Sequence, residues 1–338
     1  MTIKDVAKQA GVSVSTVSRV VNKGDEKSAS KETRRKIWDA VNALGYTPNV
    51  HARQLKSGQN ALSKKTAKEI ACVYGRSGDS LINPFFSALM HAVEKAAYEK
   101  GYFLRFSSST APADYGNESN TADSVIILGK TDAATLKKLQ SSYRHILYTG
   151  LQDLPLDVDQ VISSGYQAAE KAVQYLLDLG HKKICYIGET TNEQRYLAYQ
   201  DTMAKAGLNV SKQDTASTDF TPGKGYEAVH QLFEQNADFT AIFCSNDALA
   251  IGALKALKDR RLKVPEDVSL ISIDDIETVR YLSPMLTTVR IPIQEMGAMA
   301  VKILIDRIEG GHQSPVKVNL PNLVVCRDSC GTCSRKNR

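Results

Sequence analysis

The sequence predicts an all-α helix-turn-helix headpiece followed by an α/β body of two doubly wound parallel-sheet lobes. Three observations carry that expectation. The first two dozen residues read as two capped helices joined by a short turn. From Ile70 onward, short apolar runs alternate with amphipathic stretches, the pattern of parallel sheets covered by helices on both faces. The charge is also lopsided: residues 1–68 hold 14 Lys/Arg against 5 Asp/Glu, while the whole 338-residue chain carries only +6. A basic head on a near-neutral body fits either a polyanion-binding domain or a plain solvated face, so the motifs must decide.

In "MTIKDVAKQAGVSVSTVSRVVNKG", Thr2 caps a first helix and Asp5 sits near its positive end. Ile3, Val6, Ala7 and Ala10 share one face, and Gly11 supplies the turn. Ser13 opens a second helix, with Val12 and Val17 spaced as a hydrophobic staple and Val20 and Val21 continuing the buried face. The other face carries Ser15, Ser18, Arg19 and Asn22, with Val14 at the helix start. A helix of this size fits a DNA major groove, and Arg19 is long enough to reach guanine.

A third helix starts at Ser30, with Ile37, Ala40, Val41 and Leu44 apolar, Trp38 packed near them and Gly45 ending it. In "YTPNVHARQLKSGQ", Pro48 breaks the chain, Asn49 caps a two-turn helix and Gly58 closes it. So short a helix needs DNA or a partner copy to hold it. Leu55 between Arg53 and Lys56 suits an apolar wedge in the minor groove with phosphate-binding neighbours; the alternative is packing on the head. The candidate DNA contacts are thus Thr2, Ser13, Val14, Ser15, Thr16, Ser18, Arg19, Asn22, Asn49, Arg53, Leu55 and Lys56.

The strand-like runs of the body are "IACVYG", "YFLRFSS", "SVIILG", "HILYTG", "KICYIG", "TAIFCSND" and "VSLISIDD", dividing into two lobes near residue 152. Ligands of open α/β sheets sit beyond the carboxyl ends of the strands, here between the lobes. Asn246, Asp247 and Asp274 stand at such ends, where buried carboxylates need a polar ligand or a base, and sugar hydroxyls suit them. Asp247 alternatively caps the next helix. In "INPFFSALM", Asn83 precedes Phe85 and Phe86, which offer an aromatic face to a sugar ring or belong to the core. Arg195 either forks two ligand oxygens or pairs with a surface carboxylate.

No nucleotide-binding glycine loop, nucleophile elbow or paired-histidine zinc motif is present, and the six histidines are scattered, so no enzyme is expected. No leader-like segment follows Met1 and no apolar run reaches the ~18 residues of a membrane span, so the expected location is cytoplasmic, on the nucleoid.

These residues resemble the LacI/GalR family of bacterial transcription regulators. The headpiece "IKDVAKQAGVSVSTVSRVVN", "ALGYTPN" and the hinge "ARQLKSG" carry the likeness, which extends over nearly the whole chain and is greatest to the galactose-operon repressor branch. The resemblance implies that Val14, Ser15 and Arg19 read bases, and that Leu55 intercalates at the centre of a palindromic double-stranded operator. It also implies a homodimer and a periplasmic-binding-protein-like body. "NPFF", Arg195, "SND" and Asp274 match the family's ligand-contacting positions. Arg290, a further effector-contact candidate, stands beside Ile291, which replaces a common ligand-contacting glutamine, and Ser164 replaces a common aspartate.

The implied organisation is a headpiece over 1–48, hinge helix and linker over 49–69, an effector-binding and dimerisation body over 70–330, and a basic tail over 331–338. The linker is longer than the family's usual one. The implied function is a repressor of sugar-utilisation genes controlled by a small sugar, galactose or a galactoside first. The alternative effector is a purine or a phosphorylated carrier protein.

Cys72, Cys185 and Cys244 fall inside apolar runs and read as small buried hydrophobes. Cys326, Cys330 and Cys333 have a spacing that could hold iron-sulfur or zinc. Their context, a strand end and tail without a fourth ligand, argues against metal, and no cofactor is expected.

Overall fold

The computed structural model describes residues 3–23, 29–44, 68–75, 83–107, 122–155 and 157–333. The chain divides into two compact units, Met1–Lys65 and Thr66–Arg338.

In the first unit, α1 (Ile3–Ala10), α2 (Val14–Lys23) and α3 (Lys31–Leu44) surround a core of Val6, Ala7, Ala10, Val17, Val20, Ile37, Ala40 and Val41. Gly11 takes φ +65, a left-handed turn that favours glycine. Ser13 Oγ accepts the Thr16 N–H at 3.1 Å, so the predicted cap of α2 forms, and Ser30 Oγ accepts that of Thr33 at 3.2 Å at the predicted start of α3; the predicted caps Thr2 and Asn49 lie outside the described residues. Trp38 does not join the core; it is 46% exposed, since one residue beyond Ile37 the helix has turned about 100° off the buried stripe.

The second unit contains two six-stranded sheets. Lobe 1 orders β11 (Lys317–Asn319), β5 (Asp159–Ile162), β4 (His145–Gly150), β3 (Ser124–Leu128), β1 (Lys68–Tyr74) and β2 (Tyr102–Ser107), all pairing parallel. Lobe 2 repeats this with β12 (Leu323–Val325), β10 (Thr287–Arg290), β9 (Ser269–Asp274), β8 (Ala241–Cys244), β6 (Ile184–Gly188) and β7 (Thr215–Ser217), where only β12 runs antiparallel.

Strand periodicity distributes the core between sheet faces. In β1, Ile70, Cys72 and Tyr74 enter one cluster and Ala71 and Val73 another. In β6, Ile184 and Tyr186 part from Cys185 and Ile187 in the same way. The strand cysteines are therefore buried core residues. The helices are α4 (Pro84–Glu99), α5 (Ala133–Ser142), α6 (Gly165–Asp178), α7 (Gln194–Lys205), α8 (Pro222–Glu234), α9 (Asp247–Asp259) and α10 (Ile293–Ile308). Among the described residues no helix is long and apolar enough to cross a membrane.

Among the described residues the chain crosses between lobes three times: at Ser163–Ser164, at Ile291–Pro292 and at Leu320–Asn322. The expected division near residue 152 thus moves. β5, four residues long and beginning with the polar pair Asp159 and Gln160, completes lobe 1 first, and α10 and β11 later return to it. Ser164 caps α6, accepting the Gln167 N–H at 3.3 Å. Asn319 Oδ1 accepts the Ser164 N–H and Asn322 Nδ2 donates to the Ser164 carbonyl, tying the first crossing to the third.

The expected basic tail also starts later than residue 331. His181 Nε2 lies 3.0 Å from the Gly331 carbonyl, and the Cys333 N–H donates to the Leu179 carbonyl at 2.8 Å. Cys326 lies just past β12 and is exposed, while the Cys330 thiol lies 3.2 Å from the Leu270 carbonyl and is pushed up to about 12 by burial. Among the described residues no group of three His, Cys, Asp or Glu side chains is placed to hold a metal ion.

Candidate functional site

Strand order reverses between β1 and β3 in lobe 1 and between β6 and β8 in lobe 2. Doubly wound sheets bind ligands at the carboxyl ends of the strands at such switch points. The pocket lies there, lined by Asn83, Phe85, Phe86, Gly129, Lys130, Tyr148, Leu151, Gln152, Glu193, Gln194, Arg195, Phe220, Asn246 and Asp274. Six predicted effector residues meet in it: Asn83, Phe85, Phe86, Arg195, Asn246 and Asp274.

Arg195, in the first turn of α7, is buried and its predicted fork is filled by protein. Its Nε donates to Glu193 Oε1 at 2.8 Å, Nη2 to Glu193 Oε2 at 2.9 Å and Nη1 to the Ser245 carbonyl at 2.9 Å. The partner is a buried carboxylate, where sequence allowed a ligand or a surface one. Burial opposes ionisation of Glu193, but the charge and hydrogen bonds of Arg195 outweigh it and hold the carboxyl below its ordinary range. The guanidinium also lies 4.8 Å over the Phe220 ring.

Asn83 Oδ1 accepts the Phe85 N–H and Asn246 Oδ1 accepts the Leu249 N–H, both at 3.0 Å, capping α4 and α9. Gln152 Oε1 accepts the Thr131 N–H at 3.0 Å. Among the described residues nothing else holds the three amide NH2 groups, which are thereby left available to a ligand. Phe86 reaches the cleft because Gly129 has no Cβ; one built there would stand 2.4 Å from the Phe86 ring.

Asp274 and Asp275 have φ +127 and +58, a strained pair at the end of β9 of a kind that collects at functional sites. Asp274 lines the pocket. Burial first, and the neighbouring Asp247 second, raise its carboxyl well above the ordinary range, against the pull of Arg195.

Two predicted effector residues are not pocket-lining. Asp247 is fully buried beneath it, accepting from the Ser272 hydroxyl, from Thr288 Oγ1 at 2.7 Å and from the Ile276 N–H at 2.8 Å. Burial pushes its carboxyl up to about 6 against those three donors. Nor does it cap the helix, since Asn246 does. Arg290 turns to Asp275, its Nε donating to Oδ2 at 2.6 Å, and Arg327 grips the same carboxylate.

The pocket also contains residues the sequence reading missed. Lys130 follows β3 as Asn246 follows β8, so the strand-end rule could have found it. Glu193 was detectable only as the residue two before Arg195, and Tyr148, Leu151, Gln194 and Phe220 had no distinguishing signal.

In the headpiece, Ser13 and Ser15 are exposed and Thr16 half-buried at the start of α2. Ser13 Oγ lies 2.7 Å from Ser15 Oγ and 2.8 Å from Thr16 Oγ1. Val14 is half-buried against the core. Ser18, Arg19 and Asn22 stand on α2 with side chains outside the described residues, as are Thr2, Asn49, Arg53, Leu55 and Lys56 altogether.

Comparison with known proteins agrees with this arrangement. The profile "Bacterial regulatory proteins, lacI family" matches residues 2–49, and "Periplasmic binding protein-like domain" matches residues 173–330. The HTH-type transcriptional repressor PurR of Histophilus somni (strain 2336) is 32% identical over 342 aligned residues, covering 96% of this chain and 97% of that protein. A transcriptional regulator CelR–cellobiose complex aligns at TM-score 0.70 and 25% identity over 97% of this chain and 99% of that one. The lac repressor dimer bound to operator and the anti-inducer ONPF aligns at TM-score 0.70 and 24% identity, over 98% and 99%.

Proposed function

We propose, from the premise that this chain belongs to the lacI family of bacterial regulatory proteins, that it represses sugar-utilisation genes under the control of a small uncharged effector held between its lobes. The chain is a DNA-binding transcriptional repressor, not an enzyme. The finer reading is a cytoplasmic homodimer whose headpieces occupy the half-sites of a palindromic operator. Val14, Ser15 and Arg19 would read bases, with Leu55 wedged at the centre.

The observation that carries the effector reading is the composition of the cleft. Arg195 is neutralised by Glu193, Lys130 by Glu189, and Asp274 is held toward its neutral form by burial. Among the described residues these charges balance, so the cleft favours an uncharged ligand over a phosphate or carboxylate. The available amide groups of Asn83, Gln152 and Asn246 are donors, which suits a ligand rich in acceptor oxygens, beside the Phe86 ring for its apolar face. Galactose or a galactoside fits that description. A purine base is the second reading, favoured by the aromatic side chains Phe85, Phe86, Tyr148 and Phe220 around the pocket.

Effector binding closes the lobes and, by its preference for that state, lowers operator affinity. The test is selection of the preferred duplex followed by calorimetric titration with galactose, galactosides, their phosphates and purine bases. Binding of a neutral sugar that releases the duplex is the expected result; binding only of phosphates, or silence across the sugars, sinks the sugar reading. Arg19→Ala should cost roughly 1–3 kcal/mol of specific DNA affinity per lost base contact while leaving effector binding unchanged.

A further inference from the structure

Lys130 is a lobe 1 residue whose side-chain partners belong to lobe 2. Its Nζ lies 3.0 Å from Glu189 Oε2 and 3.8 Å from Glu193 Oε2, and donates to the Thr191 carbonyl at 3.4 Å. Glu193 Oε2 is the same atom that receives Arg195 Nη2 at 2.9 Å. One carboxylate oxygen therefore lies between a lysine from one lobe and the pocket arginine of the other. The Lys130 side chain is 23% exposed, Glu189 18% and Glu193 8%, so the charges are only weakly screened by water.

We infer that Lys130 is an inter-lobe positioning residue, tying the orientation of Arg195 to closure of the cleft through the shared Glu193 carboxylate. This rests on the reading that the cleft holds the effector. With its charge answered by two carboxylates, Lys130 has little left to attract an anion and acts on Arg195 instead. Opening the lobes withdraws it. Glu193 then keeps one of its two described cations, and the segment that presents Arg195 is held less firmly. Closure and a correctly aimed guanidinium thus come together, so that effector affinity reports the fraction of molecules already latched.

The first test needs no effector. Full-length protein is treated with a water-soluble carbodiimide, which joins an amine to a touching carboxylate as an amide, and peptides are mapped by mass spectrometry. A bond from Lys130 to Glu189 or Glu193 is expected, moving to Glu193 alone in Glu189→Gln; absence of either bond in the wild-type chain overturns the proposal. Amide hydrogen exchange then asks whether Lys130→Met loosens residues 190–196 and Lys130→Arg restores them, and unchanged exchange also overturns it.

Calorimetry with galactose completes the set at low and high salt. Lys130→Met should raise the apparent Kd about tenfold, within the usual span of coupling energies, with a weaker salt dependence and recovery in Lys130→Arg. Wild-type affinity in Lys130→Met overturns the positioning role and leaves the cleft reading standing. Failure of the wild-type chain to bind galactose, with the cross-link and exchange results as expected, counts against the sugar reading and supports the latch.

Discussion

In lobe 1 the strand ends facing the cleft carry Gly75, Gly129 and Lys130; the matching ends in lobe 2 carry Gly188, Glu189, Ser245 and Asn246. Both lobes then cap a helix with asparagine, Asn83 for α4 and Asn246 for α9. Beyond that likeness the walls part. Lobe 2 presents a polar network in which Glu193 and the Ser245 carbonyl hold Arg195. Lobe 1 presents Phe86, admitted by a glycine, and Lys130, whose partners lie across the cleft. Two sheets of one topology thus divide the work: one wall is a polar template, and the other is an apolar cover whose lysine completes that template when the walls meet. Polar groups aimed in advance lose less freedom when a ligand arrives.

Breaking the polar template should cost most. Arg195→Ala strands Glu193 as a buried charge without its bidentate partner, and urea unfolding should show a loss of about 3–5 kcal/mol together with loss of effector binding. A loss below about 1 kcal/mol would show that Glu193 does not depend on Arg195 for its burial.

The template should also carry a proton. Asp274 and Asp247 have raised carboxyls, so the folded state holds protons that the unfolded chain has already released. Their contribution is fully present below the unfolded value near pH 4 and is lost as pH rises through the folded values, about 6 for Asp247. Asp274→Asn removes one such group, so its stability relative to wild type should improve steadily from pH 4 to pH 8 in urea titrations. A flat difference would remove the proton from this wall.

The cover should give smaller effects. Gly129→Ala places a side chain at φ +78 and against the Phe86 ring, costing about 1–2 kcal/mol from backbone conformation alone and weakening effector binding. Asn83→Ala removes only a helix cap and one ligand donor, about 1 kcal/mol in thermal unfolding. Equal losses for Asn83→Ala and Arg195→Ala would erase the distinction between the walls.

Most of the fold was legible because it follows from local rules. Ser13, Ser30 and the 3.6-residue stripes set the headpiece helices, and the alternation of apolar runs with amphipathic stretches foretold sheets covered on both faces. The strand-end rule brought Asn246 and Asp274 to the cleft, and "NPFF" did the same for Asn83, Phe85 and Phe86. It failed for Asp247, one residue past the cap, which turns inward to the Ser272 and Thr288 hydroxyls. Arg290, named for its place beside Ile291, is drawn away by Asp275, next to Asp274. The short β5 was missed because Asp159 interrupts its apolar pattern; that carboxylate is buried against Arg307 and His312 from the segment that crosses back to lobe 1 at Ile291–Pro292.

By itself the sequence determined the helix-turn-helix, the two-lobed α/β body and the kinds of residue at the strand ends, since capping, periodicity and turns act over a few neighbouring positions. The tertiary structure alone decided which charges meet. A buried ion needs a partner, and for Lys130, Glu193 and Arg195 the pairing depends on how two separately wound sheets come to face each other across three crossings of the chain.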